Sequence, residues 1–183
     1  MNTEENIVKL LKEKASTKQK VYRITKAVFS DFQEILKKKA STLNESVDDK
    51  NVEVSYDEAG DFDAKFKFSG DTLLFHVHSN VFDFEKSHQV HQTSYVKDDK
   101  MRSFCGVINI YNFLSDSLKY NRLNDAGFLI ARVFINKDNH FFVEGDKQLG
   151  FLFNDFVNQQ IDSSQIDKIV NAAISYSLNF DLQ

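Results

Sequence analysis

The chain has no proline and no tryptophan, a single cysteine and six glycines in 183 residues. Each scarcity removes a class of explanation. One thiol, Cys105, excludes an internal disulfide and fits a reducing compartment. Six glycines leave little material for a phosphate-cradling loop, and neither a Walker pattern nor a serine elbow is present. No run of about 18 apolar residues occurs, so a transmembrane helix is not expected. The opening MNTEENIVKLLKEK carries acids early and lacks a long apolar core, unlike a secretory signal, which makes a cytoplasmic location the expectation. A net charge of −4 argues against bulk attraction to nucleic acid or an anionic membrane.

What is abundant is phenylalanine, at 18 residues, together with Asn, Lys, Ile and Asp. That is the usage of an AT-rich coding sequence, and it reads phenylalanine as core filler. Apolar residues at 42% and charged residues at 27% suit a globular chain, and the length suits one domain spanning residues 1–183, with a helical segment over 1–47 packed on it.

Residues 4–47 read as helix. Ile7, Leu10 and Leu11 form a first apolar cluster, and Val21, Ile24, Val28, Phe32, Ile35, Leu36 and Leu43 then recur at three- and four-residue steps. From Val52 the period is two. Val52, Val54 and Tyr56, then Phe62, Ala64, Phe66 and Phe68, then Leu73, Phe75 and Val77 alternate with polar residues across turns at 57–60 and 69–71, which predicts a three-stranded meander. Two shorter strands are expected at 82–84 and 90–96. Over 104–121, Val107, Tyr111, Leu114 and Leu118 share one helical face and Asn109, Asn112, Asp116 and Lys119 the other, so that segment reads as a central helix, although its β-branched content also suits a strand. Phe128–Ile135, a turn at 136–139 and His140–Glu144 form a hairpin. Asp162 with Gln165 makes a capping box before a closing amphipathic helix through Leu178. The sum is α+β: an antiparallel sheet of five to seven strands, flanked by a long N-terminal, a central and a C-terminal helix.

This order of elements resembles the type III secretion chaperone-like fold, most closely over INIYNFLSDSLKYNRLNDAGFLIARVFINKDNHFFVEG, residues 108–145, where a helix leads into a strand ending Ala-Arg-Val-Phe. Residues 101–156 are also similar to an uncharacterised family of cytoplasmic Bacteroidetes proteins. The first resemblance implies a small, often dimeric module that binds a protein segment along its sheet or a helix face, rather than an enzyme.

The candidate chemistry is thin. His76 and His78, one residue apart on a strand, point to one side and are close enough to share a metal. Gly70 to His78 resembles the first half of the cupin metal motif, but Glu85 lies too far on and the second motif is missing. A metal site at His76 and His78 is therefore an alternative reading, and no cofactor is expected. Cys105, near Arg102, is the one nucleophile worth testing. Lys18, Lys20, Arg23, Lys26 and Lys37 to Lys39 on the first helix offer a second alternative, nucleic-acid binding, against which the interspersed acids Asp31 and Glu34 weigh. The best surface candidate is Tyr111, Asn112, Lys119, Tyr120, Asn121, Arg122 and Asn124, because these residue types combine contact area with adaptable hydrogen bonding. The expectation is a protein- or peptide-binding, chaperone-like or adaptor module, paired as a homodimer, with no membrane partner.

Overall fold

A computed structural model describes residues 2–122 and 127–180. Its centre is a six-stranded antiparallel meander in which every strand pairs with its sequence neighbours: β1 (Val54–Glu58), β2 (Asp63–Phe68), β3 (Asp71–Val77), β4 (Cys105–Leu114), β5 (Phe128–Asn136) and β6 (Phe141–Gly145). The helices are α1 (Thr3–Leu10), α2 (Ser16–Val47), α3 (Ser94–Asp98), α4 (Ser115–Lys119), α5 (Gln148–Leu152) and α6 (Ser163–Leu178), with a π-helical turn, Leu11–Ala15, joining α1 to α2.

The local causes are legible. At α1, Asn2 accepts from the Glu4 N–H while Glu5 accepts from the Asn2 N–H, so two orphan donors are satisfied. α2 ends where Asp48 turns left-handed at φ 44°. Asp162 caps α6 by accepting from the Gln165 N–H at 2.8 Å. The sharp β2–β3 turn is two residues, Ser69 and Gly70.

One sheet face packs on α2 and α6. Ala64, Phe66, Phe68, Leu73, Phe75, Val77, Ile108, Ile110, Val133, Ile135, Phe141 and Val143 meet Phe29, Phe32 and Leu36 of α2 and Ile166, Ile169, Val170 and Ala173 of α6 in one buried cluster. The helix lies close at Gly106, where an added Cβ would stand 2.0 Å from Thr25 Oγ1. The absence of a side chain there lets α2 seat on β4. Across β4–β5 the pairing shifts between Ile110 and Tyr111, leaving Ile130 as an extra residue in β5. Ile130 and Ala131 consequently both enter the core.

Two expectations are corrected. Residues 105–114 are a strand, and the central helix is confined to Ser115–Lys119. Ile108 and Ile110 point into the core under α2 while Cys105 and Val107 point into a second apolar cluster, so burial on both faces hides the period of two that marks a one-sided strand. The helix on which the resemblance over 108–145 rests is thus reduced to five residues. The expected strands at 82–84 and 90–96 are instead an isolated bridge, Phe82 to Cys105, and a chain of short helical turns. Side chains of His88, Thr93 and Asp99 each accept from a backbone N–H two or three residues on, starting a new turn each time and leaving no extended run.

That segment, residues 78–104, folds back over the second sheet face. Val90 and Val96, with Phe84 and Tyr95, cover Cys105, Val107, Phe134, Phe142 and Phe156. A polar clamp pins it to the β5–β6 turn. Arg102 lies over the Tyr95 ring at 4.3 Å and its Nε donates to Asp138 Oδ2 at 3.2 Å; Tyr95 also donates to Asp138, and Asn136 Nδ2 donates to the Tyr95 oxygen and to the Arg102 carbonyl. Lys137 pairs with Asp99 at 2.9 Å and with Asp138 at 3.4 Å. Burial pushes the Tyr95 phenol up to about 12.

Candidate functional site

The antiparallel registers arrange the second face in rows running across the strands. One row is Lys67, Thr72 and Phe113; the next is Lys65, Leu74, Tyr111 and Leu129; a third is Asp63, His76, Asn109, Arg132 and Glu144; a fourth, Val107, Phe134 and Phe142, lies at the covering segment. The covering segment seals the fourth row and reaches the third, where His88 lies 3.6 Å from Glu144 and Asn109 is buried. Beyond it the sheet is a trough with an apolar floor of Leu74, Tyr111 and Leu129, each half-buried.

One wall is the covering segment. Between it and the floor lies a depression of roughly 460 Å³, lined by His78, Phe82, Phe84, His88, Tyr111, Leu129, Arg132 and Glu144 among others. Phe82 there keeps 37% of its surface open, stacked edge-on to His78 at 4.7 Å. The other wall is α4 and its flanks, where a depression of roughly 640 Å³ is lined by Lys65, Lys67, Thr72, Leu114, Ser115, Leu118, Lys119 and Arg122 together with Asp57 and Asp116. Thr72 and Ser115 hydroxyls meet at 2.8 Å and tie α4 to the sheet. Lys67 pairs with Glu53 at 3.2 Å. From Asn109 to Phe113, four residue steps along β4, the trough is about 13 Å across, and it is about 20 Å long over five strands. A helix about 10–12 Å thick fits that width.

The expected surface residues divide. Tyr111 stands in the trough floor, 6.2 Å from the Phe113 ring. Lys119 and Arg122 line the α4 wall and flank the 60% exposed ring of Tyr120, at 5.2 and 5.9 Å. Asn121 is exposed in a left-handed turn at φ 49°, a conformation asparagine tolerates. Asn124 lies outside the described residues. Asn112 is corrected: one step from Tyr111 on a strand, it faces the core with Leu73, wholly buried, and its amide oxygen and nitrogen have no hydrogen-bond partner among the described residues. Near it, burial raises the Asp71 carboxyl.

His76 and His78 are engaged with separate partners. His76 Nδ1 is 2.7 Å from Asp63 Oδ1, while His78 Nδ1 accepts from the Asn80 N–H. Among the described residues no group of three or more His, Cys, Asp or Glu is placed to hold a metal ion. Cys105 is fully buried, and loss of solvation, with Asp83 adding to it, drives its thiol far above the ordinary range, the opposite of activation. The basic residues of α2 do not form one face: Lys39 pairs with Asp167 at 2.7 Å, and Lys26 donates to the Asp61 carbonyl and lies over Phe62 at 4.2 Å. Among the described residues no helix is long and apolar enough to cross a membrane.

Sequence reasoning missed Leu74, Leu129 and Phe82 as surface residues. The available signal is broken alternation: Leu74 sits between the inward Leu73 and Phe75, where a one-sided strand would carry a polar residue. The chain matches no protein-family model, no curated protein and no solved structure.

Proposed function

We propose that the chain is a non-enzymatic binding module whose trough takes an amphipathic helical segment of another protein. The observation that carries this reading is the half-buried apolar row Leu74, Tyr111 and Leu129, left outside the covering segment's apolar cluster and lying between two walls. An apolar stripe on a docked helix would cover that row, with Lys65 at its β2 end, while its charged flanks meet Lys67 on one side and His76, Arg132 and Glu144 on the other. Binding face-on also suits the β6 edge. The free edge of β6 is occupied, since the Phe141 and Val143 N–H groups donate to the Gln159 and Phe153 carbonyls, so addition of a strand there is closed.

The test is selection of helical peptides from a display library on the intact protein. The expected result is peptides with dissociation constants of roughly 1–100 µM whose affinity falls at least about tenfold when Tyr111→Asp is combined with Leu129→Lys. The thermal midpoint of that variant, kept near wild type, shows that the fold is intact. Failure to select any peptide, or selected peptides that bind the double variant equally well, would overturn the reading.

A further inference from the structure

The first helical segment behaves unlike every other helix in the protein. Residues 2–14 are all exposed, and the large apolar side chains of α1 and the following turn are bare: Ile7 at 51%, Val8 at 43%, Leu10 at 50% and Leu11 at 59%. An isolated helix of about a dozen residues is marginal in water, but this one is held by continuity with the 32-residue α2 and by its capping box. It is an arm with a preformed apolar stripe.

The order of charges along that stripe indicates what covers it. Glu4, Ile7 and Leu11 follow one another at steps of three and four residues and share one face, and the π-helical turn from Leu11 carries Lys14 to the far end of the stripe on the side of Leu10. The acid ends one extremity of the stripe and the base the other, about 15 Å apart at 1.5 Å per residue. Such a face is complementary to itself when turned end for end. In an antiparallel pair, Ile7 of one arm meets Leu11 of the other, and both ends close with a Glu4–Lys14 pair. A parallel pair would oppose Glu4 to Glu4 and Lys14 to Lys14. Lys14 lies over the Phe104 ring at 5.8 Å, which places the base where the arm leaves the body.

We propose that two copies of this chain associate arm to arm, antiparallel, through Ile7, Leu10 and Leu11, with Glu4 and Lys14 closing each end. This isologous contact uses one patch twice and leaves both troughs open, so it stands independently of the proposed ligand. Three turns of helix make less than a standard interface of roughly 1,200 Å², so the dimer exchanges with monomer.

Sedimentation velocity of the full chain tests it. The expected result is a mass of two chains at about 100 µM shifting to one chain near 1 µM. Ile7→Asp with Leu11→Asp should give monomer throughout. Glu4→Lys alone should weaken association at least about tenfold, and adding Lys14→Glu should restore it, because the swapped charges again face their opposites. Circular dichroism of the same variants separates that rescue from a change in arm helicity, because Lys14→Glu also gains Lys18 as a partner four residues on. A wild-type monomer at all concentrations, a dimer indifferent to the Ile7 and Leu11 changes, or failure of the charge swap would each overturn the proposal. Loss of the dimer in the Tyr111→Asp, Leu129→Lys variant would overturn it too, by placing the arm in the partner's trough.

Discussion

The two faces of the sheet are built from the same six strands and meet opposite fates. On the inner face Phe66, Leu73, Phe75, Ile108 and Ile110 are fully buried beneath α2 and α6. On the outer face the neighbouring residues Lys65, Leu74, His76 and Tyr111 are half-exposed, and the row nearest the covering segment is the one sealed along its length. Burial on one face supplies the stability that permits the other face to keep apolar residues open, so the difference separates what holds the fold from what is free to bind.

The widest test of that division substitutes adjacent residues of β3. Phe75→Ala should cost about 3–5 kcal/mol, as large core truncations do, whereas Leu74→Ala should cost less than about 1 kcal/mol. Urea unfolding of both variants checks the contrast, and equal losses would mean the outer face is as structural as the inner.

Next in size is the contact that seats the helix. Gly106→Ala should destabilise by about 1–3 kcal/mol through overpacking against Thr25. Thr25→Ala should relieve part of that loss, measured as a positive coupling in a double-mutant cycle.

The clamp of the covering segment is expected to matter less and to depend on pH. The Lys137 hydrogen bond holds the Asp99 carboxyl below its ordinary value against the effect of burial. Burial raises Asp138, but Lys137, Tyr95 and Arg102 together outweigh it and bring it below. Both folded values lie under the unfolded one of about 3.9, so the clamp's contribution is complete above about pH 4 and is lost as pH falls through the depressed values. Arg102→Met should cost about 1–2 kcal/mol at neutral pH and shrink the acid-induced loss, as read from urea midpoints at successive pH values.

The smallest effect is expected at Tyr56, whose hydroxyl is buried without a hydrogen-bond partner among the described residues. Tyr56→Phe should be neutral or stabilise by up to about 1 kcal/mol, and it should remove a phenol that burial holds at about 12.

Much of the inner face was legible from pattern. Val28, Phe32 and Leu36 on a helical period, and Phe66 and Phe75 on an alternating one, lie in elements that bury one side, and one-sided burial is what periodicity records. The reading of 105–114 as helix failed because β4 is buried on both sides, so alternation carried no information and a chance sorting of asparagines took its place. Asn112 was misplaced for the same reason, since its side follows from the strand that was missed. The trough was hidden because Leu74, Tyr111 and Leu129 come from three strands and meet only through register.

The sequence by itself determined the α+β class, the long first helix, the meander, the last hairpin and the closing helix, all of them consequences of local period, turn chemistry and caps. Tertiary structure alone decided which face of β4 meets α2, where residues 78–104 come to rest, and hence which part of the outer sheet stays open. Those outcomes depend on contacts between residues far apart in the chain, such as Gly106 with Thr25 and Arg102 with Asp138, and no local period encodes them.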